Sequence, residues 1–292
     1  MSVPLCAWVL AALLTSSDVP VEPPAGSTSA PSLHALRFSW TEDGGASAAM
    51  AAMLGGGFLF RQQLLPTRCL VCDLSSQGGN QLWALDVWGR TALRGDDAED
   101  RLHASQWSDA LQTFLLPAGA LGAEVFLVAT SAAPWPWLAE DGLMITESVL
   151  LSSLANQVVK FSVARIRPYA HARVLAGEPL SDFHADDLTS FYSGHTSFAF
   201  NLVVSLGTLA ELRGYPGRVW IWAVGLPLAA LVPPLRMAAD KHYLSDVLVG
   251  AVVGSALGVA VPLLLHGREA SPRGSSLAVT VAPGGAALVG CF

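Results

Sequence analysis

Residues 247–265, VLVGAVVGSALGVAVPLLL, run for 19 positions without a charge. At ~1.5 Å rise per residue, a helix of that length spans close to the ~30 Å of a bilayer's hydrocarbon. Gly250, Gly254 and Gly258 recur every fourth residue in it, which gives a smooth face for close helix contact in lipid. Composition agrees: apolar residues make up 52% of the 292 and charged residues 13%. A soluble domain carries about 25% charged residues, so lipid or protein must cover the rest. Net charge is −7, which argues against nucleic acid as a partner.

Further apolar runs lie at 111–133, 143–164, 196–212 and 218–235, with a weaker one at 46–60. The expected fold class is all-α, a multi-pass bundle of five or six membrane helices. Residues 275–292 alternate around Pro283-Gly284-Gly285 and read as a short C-terminal β-hairpin tail. Residues 1–17 resemble a signal peptide without a basic start, and 18–35 form a Pro/Ser-rich linker. The membrane domain is assigned to 36–268 and a tail to 269–292. LWALDVW at 82–88 reads as an interfacial helix, and GDDAED at 95–100 as a solvated acidic loop. Cys69 and Cys72 form a lone C-x2-C, equally consistent with a local disulfide or with two free thiols.

Three clusters carry chemistry. In the first, Lys160 and Arg167 are seven apart, two turns along one helix face, and Pro168 follows. Two cations on one side suit an anion with several oxygens; snorkelling to headgroups is the plain alternative. In the second, Ser193-Gly194-His195 opens the apolar run at 196–212. A helix N-terminus offers unpaired N–H groups and a positive dipole end, Gly194 admits an oxyanion, and His195 can move a proton. An ordinary Ser cap is the plain alternative. In the third, Arg236, His242 and Asp246 open the last apolar run. His242 and Asp246, four apart, would share a helix face, so that Asp246 fixes one ring nitrogen and leaves the other as a nucleophile. Arg236 lies on the wrong face of a continuous helix, so the chain must bend before His242. A capping ion pair is the plain alternative.

Counting crossings puts all three clusters at helix ends on one side. Both lysines of the chain, Lys160 and Lys241, fall inside them. Together they resemble the signature of the type-2 phosphatidic acid phosphatase and vanadium haloperoxidase superfamily: K-x6-RP, PSGH and SR-x5-H-x3-D. Every spacing holds. Tyr192 stands where the signature has Pro, and Leu235 where it has Ser.

The resemblance implies a membrane phosphatase acting on a lipid phosphate monoester or pyrophosphate. His242 would form a phosphohistidine, Asp246 would orient it, and His195 would act as general acid and base. Lys160, Arg167, Ser193, Gly194 and Arg236 would hold the phosphoryl oxygens. Three cations can stand in for a divalent ion, so no metal and no cofactor is expected. His171, His184, Asp182, Asp186 and Asp187 could instead hold a metal, but a solvated lid over the pocket fits that loop better. The alternatives are a phosphotransferase using the same intermediate, a vanadium haloperoxidase, or a non-catalytic membrane protein. The positions of Arg213 and Arg218 suggest a site facing outward, toward the periplasm of a bacterium, from the inner membrane.

Overall fold

A computed structural model describes residues 33–75, 79–179, 184–268, 276–282 and 285–291. The signal-peptide expectation at 1–17 and most of the linker lie outside them. Among the described residues, eleven α-helices form the body: α1 (Glu42–Leu59), α2 (Arg61–Leu64), α3 (Ala84–Leu93), α4 (Ala98–Ala110), α5 (Leu116–Thr130), α6 (Pro136–Val163), α7 (Pro168–Leu175), α8 (Gly194–Arg213), α9 (Leu226–Ala230), α10 (Val232–Ala238) and α11 (Leu244–Leu265). A wider π turn at Leu111–Leu115 fuses α4 to α5, and another at Ile221–Gly225 leads into α9. Prolines at 227, 233 and 234 divide the α9–α10 stretch, because each lacks the N–H that a continuous ladder needs.

Among the described residues, four stretches are long and apolar enough to cross a membrane: Ala98–Thr130, Pro136–Val163, Ile221–Ala238 and Leu244–Leu265. This makes the chain an integral membrane protein, and it corrects the expectation of five or six membrane helices. Two expected spans do not qualify. Glycine, alanine and two first-turn acids leave α1 too weakly hydrophobic. Helix α8 fails for another reason. It is buried on almost every side, so it carries Asn201, Ser205 and Thr208 where a lipid-facing helix carries Leu. Lipid-facing positions such as Phe114, Phe126, Leu248 and Leu264 are exposed on the surrounding helices, as a bilayer requires.

The expected β-hairpin is also corrected. The helical body contains isolated bridges, such as Val71 with Arg165, but no strand among its described residues. Ser276–Ala282 and Gly285–Cys291 pair in a two-stranded sheet that takes in no other segment. A hairpin is therefore not supported as part of the fold.

Helices α8 and α11 form the centre and run parallel. A Cβ at Gly250 would stand 2.7 Å from the Ser193 carbonyl oxygen, and one at Gly258 would stand 2.9 Å from that of Asn201. At Gly254 a Cβ would collide with the Ser197 backbone. The glycine repeat read from the sequence is thus the contact face, and its register brings the first turns of both helices to one end of the bundle.

The other end is closed by buried polar pairs. Arg213 donates to Asp141 at 2.6 and 2.8 Å and to Glu140 at 2.8 Å, and it stacks 4.0 Å over Trp137. His266 Nε2 lies 2.9 Å from Glu147. The segment before α1 seals this end, with the Arg37 N–H donating to the Gly267 carbonyl at 3.2 Å.

Candidate active site

Four local features assemble the site. First, α6 ends at Val163 because Ala164 turns left-handed (φ 47°). The chain then runs extended, with Arg167 as the residue before α7. Lys160 and Arg167 therefore do not share one helix face, contrary to the seven-residue reading. They converge because the chain folds back after Lys160.

Second, Ser193 caps α8, its Oγ accepting from the Thr196 N–H at 3.4 Å and its own N–H donating to the Asp246 carbonyl at 3.1 Å. Gly194 follows against α6. A Cβ there would lie 2.8 Å from Asn156 Oδ1 and 3.5 Å from Lys160 Nζ, so Lys160 and the bare backbone are neighbours.

Third, α10 ends at Ala238 and Asp240 adopts φ 56°, which supplies the expected bend between Arg236 and His242. Arg90 donates to both Asp240 oxygens at 2.8 Å and braces this turn. Arg236 is buried. Its Nη1 donates to Ser108 Oγ at 3.0 Å and to Asp109 Oδ1 at 3.2 Å. Among the described residues, its buried Nε finds no hydrogen-bond partner.

Fourth, His242 lies just before α11 rather than on it, with Tyr243 as the cap and Asp246 in the first turn. This changes how the imidazole is held. Its Nδ1 is 2.8 Å from the Ser190 carbonyl oxygen and 3.7 Å from Asp246 Oδ2. A carbonyl oxygen can only accept, so Nδ1 carries the proton and Nε2 keeps its lone pair. Asp246 acts one step removed. Its Oδ2 accepts from Ser190 Oγ at 2.5 Å and from the Tyr243 N–H at 2.9 Å, while Oδ1 accepts from Arg165 Nη1 at 2.7 Å.

Arg165, Ser190 and Asp109 are the residues that sequence reasoning missed. Arg165 is buried between Asp73 at 3.0 Å, Asp86 at 2.8 Å and Asp246 at 2.7 Å, and it lies 4.2 Å from the Tyr243 ring centroid. It sits inside the Lys160–Arg167 interval, and its only signal was a charge in an otherwise apolar stretch. Ser190 acts through its main chain, which no side-chain pattern reveals. Asp109 comes from α4, far from the three clusters, and its Oδ1 accepts from His195 Nε2 at 2.7 Å. An ionised carboxylate only accepts, so that histidine nitrogen bears the proton. The expected acidic loop at 95–100 is in part a helix start: Asp97 caps α4 by accepting from the Glu99 and Asp100 N–H groups at 2.8 and 2.9 Å.

Arg167 donates to the Asp186 carbonyl at 2.9 Å and to Thr189 Oγ1 at 3.2 Å. It also lies 3.3 Å from Asp186 Oδ2. Burial first, then the charges of Arg167, Arg236, Lys160 and His195, hold the His242 imidazole well below its usual value. The structure thus brings His242, His195, Lys160, Arg167 and Arg236 within electrostatic reach of one another, with Ser193 and Gly194 beside them. The neutral imidazole is surrounded by cations, an arrangement suited to an anion that the imidazole can attack.

Two cavities meet at Lys160. One, of about 210 Å³, is lined by Gly194, His195 and Phe198. The other, of about 240 Å³, is lined by Phe58, Arg61, Phe161 and Thr189. Asn156, Gln157 and Lys160 belong to both. The loop considered for a metal gathers no three-ligand cluster among the described residues. His171 is fully buried there, with Nε2 3.1 Å from the Asp73 carbonyl. Cys69 and Cys72 are joined as a disulfide.

Comparison with known proteins gives the same reading as the signature. Residues 141–269 match the family model described as the PAP2 superfamily. An undecaprenyl-diphosphatase of Sulfolobus acidocaldarius is 28% identical over 117 residues, covering 39% of this chain and 50% of that protein. Phospholipid phosphatase 1 of Rattus norvegicus is 28% identical over 135 residues, covering 38% and 47%. The chain spans about half the length of the curated relatives it matches. Among solved structures, a PAP2-type phosphatidylglycerolphosphate phosphatase of Bacillus subtilis has a TM-score of 0.44 at 19% identity, covering 61% of this chain and 82% of that one. LpxE of Aquifex aeolicus has a TM-score of 0.42 at 18% identity, covering 62% and 95%. The resemblance read from the three clusters is borne out over residues 141–269.

Proposed function

We propose that this chain, a PAP2 superfamily member through residues 141–269, hydrolyses a lipid phosphate monoester or pyrophosphate at the membrane surface by way of a phosphohistidine. One observation carries the proposal: His242 Nδ1–H is committed to the Ser190 carbonyl at 2.8 Å, which leaves Nε2 unprotonated among three cations.

The proposed steps use the contacts described above. Lys160, Arg167 and Arg236 take the phosphoryl oxygens, together with the Gly194 N–H and the open Nε of Arg236. The Nε2 lone pair of His242 attacks phosphorus, and the bond from phosphorus to the ester oxygen breaks. Burial, then the charge of Arg236, holds the His195 imidazole down to about 3 in the free protein, where Asp109 accepts from its Nε2; the bound phosphoryl anion raises it, and the resulting imidazolium passes its Nε2 proton to the departing oxygen and is left neutral. Water then attacks the phosphohistidine. His195 takes the water proton, the N–P bond breaks, and inorganic phosphate leaves with His242 neutral again. Fixed cations supply the charge stabilisation, and the reaction is proposed to need no divalent ion. The site is proposed to face the periplasm from a bacterial inner membrane, where a headgroup can reach it laterally.

The test is phosphate release from a panel of lipid phosphates in detergent with EDTA present. Wild type should turn over, His242→Ala should fall by at least ~10³-fold, and His195→Ala by about 10²–10⁴-fold. Wild type should also yield an acid-labile, alkali-stable phosphoprotein that His242→Ala lacks. Equal rates for wild type and His242→Ala would remove the proposal.

A further inference from the structure

Arg61 belongs to none of the three clusters, yet it reaches the phosphate cradle. It lies on α2, outside residues 141–269, and forms an ion pair with Asp186 Oδ1. The other oxygen of that carboxylate, Oδ2, is 3.3 Å from Arg167 Nη2. A single carboxylate therefore bridges the cradle arginine and Arg61. Thr189 Oγ1 donates to the Asp186 carbonyl at 2.8 Å, so the loop that carries this carboxylate is tied down beside Arg167. Arg61 also lines the 240 Å³ cavity whose inner wall is Lys160. The large apolar side chains lining that cavity are Phe58, Leu65 and Phe161. Phe58 and its neighbours Leu59 and Phe60 are exposed at the end of α1, where lipid chains would meet them.

Resting on the proposed function above, we infer that Arg61 forms a second phosphate subsite and that the preferred substrate is a lipid diphosphate. The size argument is direct. The Asp186 carboxylate shows that an anion can contact both guanidinium groups, and the 240 Å³ cavity that Lys160 and Arg61 both line leaves room for a phosphoryl group beyond the one held by the cradle. The terminal phosphoryl group occupies the cradle at Lys160, Arg167 and Arg236. The inner phosphoryl group lies between Lys160 and Arg61, and the chain leaves past Phe58 and Phe161. His242 Nε2 forms its bond to the terminal phosphorus, and the bond from that phosphorus to the bridging oxygen breaks. The leaving group is the lipid monophosphate, its bridging oxygen protonated by His195. Arg61 offsets the charge left on that group. In the free protein Asp186 occupies the space between the two arginines, and the substrate displaces it.

The experiment compares wild type with Arg61→Ala and Arg61→Gln. Arg61 is half exposed, and neither change opens a cavity in the core. KM and kcat are measured for a lipid diphosphate and for the monophosphate of the same chain. In parallel, binding of inorganic pyrophosphate and orthophosphate is measured by calorimetry. Both variants should raise KM for the diphosphate about tenfold, with the monophosphate changed less than about twofold. Wild type should bind pyrophosphate about tenfold more tightly than orthophosphate, and the variants should lose that preference. Equal weakening toward both anions, or none toward pyrophosphate, overturns the subsite. If wild type hydrolyses neither lipid but keeps an Arg61-dependent preference for pyrophosphate, the subsite stands and the phosphatase reading fails. If hydrolysis proceeds without that preference, the phosphatase reading stands and the subsite fails.

Discussion

His242 shows how a side chain acquires its chemistry from main chain. The Ser190 carbonyl sets its tautomer, and the Asp246 carboxylate fixes Ser190 through a 2.5 Å hydrogen bond. A pH dependence follows. In the proposed mechanism the attacking form is neutral, and a neutral imidazole prevails above its pKa. Burial and the surrounding cations depress that pKa, so the acidic limb of kcat/KM should lie below pH 6.5. Arg236→Gln removes one of those cations and should move the limb upward, even as it lowers the rate. A limb that moves down in the variant would contradict the arrangement. Arg165 poses a different test. Among the described residues it is the one cation against the carboxylates of all three of Asp73, Asp86 and Asp246, at 2.7–3.0 Å. Arg165→Met should cost about 3–5 kcal/mol of stability, because buried carboxylates are left without a counter-charge. Thermal unfolding in detergent measures it. Spacing in the sequence singled out His242, His195, Lys160, Arg167 and Arg236, the residues proposed as nucleophile, proton donor and cradle. It concealed Asp109, Ser190 and Arg165, since two come from outside the clusters' own pattern and one works through its backbone.

Among the elements, the pairing of α8 with α11 decides whether the clusters meet. Gly250 and Gly258 sit tightly against backbone atoms of α8, and Gly254 more tightly still, whereas a Cβ at Gly122 on α5 would meet nothing within 4 Å. Gly254→Ala should therefore lower the unfolding temperature by several degrees and reduce activity with it. Gly122→Ala should be neutral or stabilise by up to ~1 kcal/mol, since it only removes backbone freedom. Similar behaviour of the two variants would show that the helices do not pack this closely. The glycine repeat made this contact legible in the sequence. The number of membrane helices was not, because hydrophobicity reports contact with lipid and α8 has little. Its Asn201 donates to Ser148 Oγ at 3.0 Å and to the Gly254 carbonyl at 3.2 Å, bonds that only a helix enclosed by others can use.

Across the whole molecule, the two ends of the bundle are chemically unlike. One carries the cationic pocket. The other is sealed by Arg213 with Asp141 and by His266 with Glu147. Sidedness can be read from single cysteines at exposed or partly exposed positions near each end. In intact cells, a membrane-impermeant maleimide should label His184→Cys, beside the pocket, and spare Arg218→Cys, beyond the far end of α8. The reverse pattern would place the site in the cytoplasm.

The carboxylate cluster around Arg165 also sets an order on biogenesis. Asp73 and Asp86 are synthesised early, Arg165 midway, and Asp246 only with the last helix. Until that helix has been inserted, Ser190 lacks the carboxylate that steadies its carbonyl, and residue 242 has no fixed tautomer. On the proposed mechanism, competence therefore arrives only when the final segment docks.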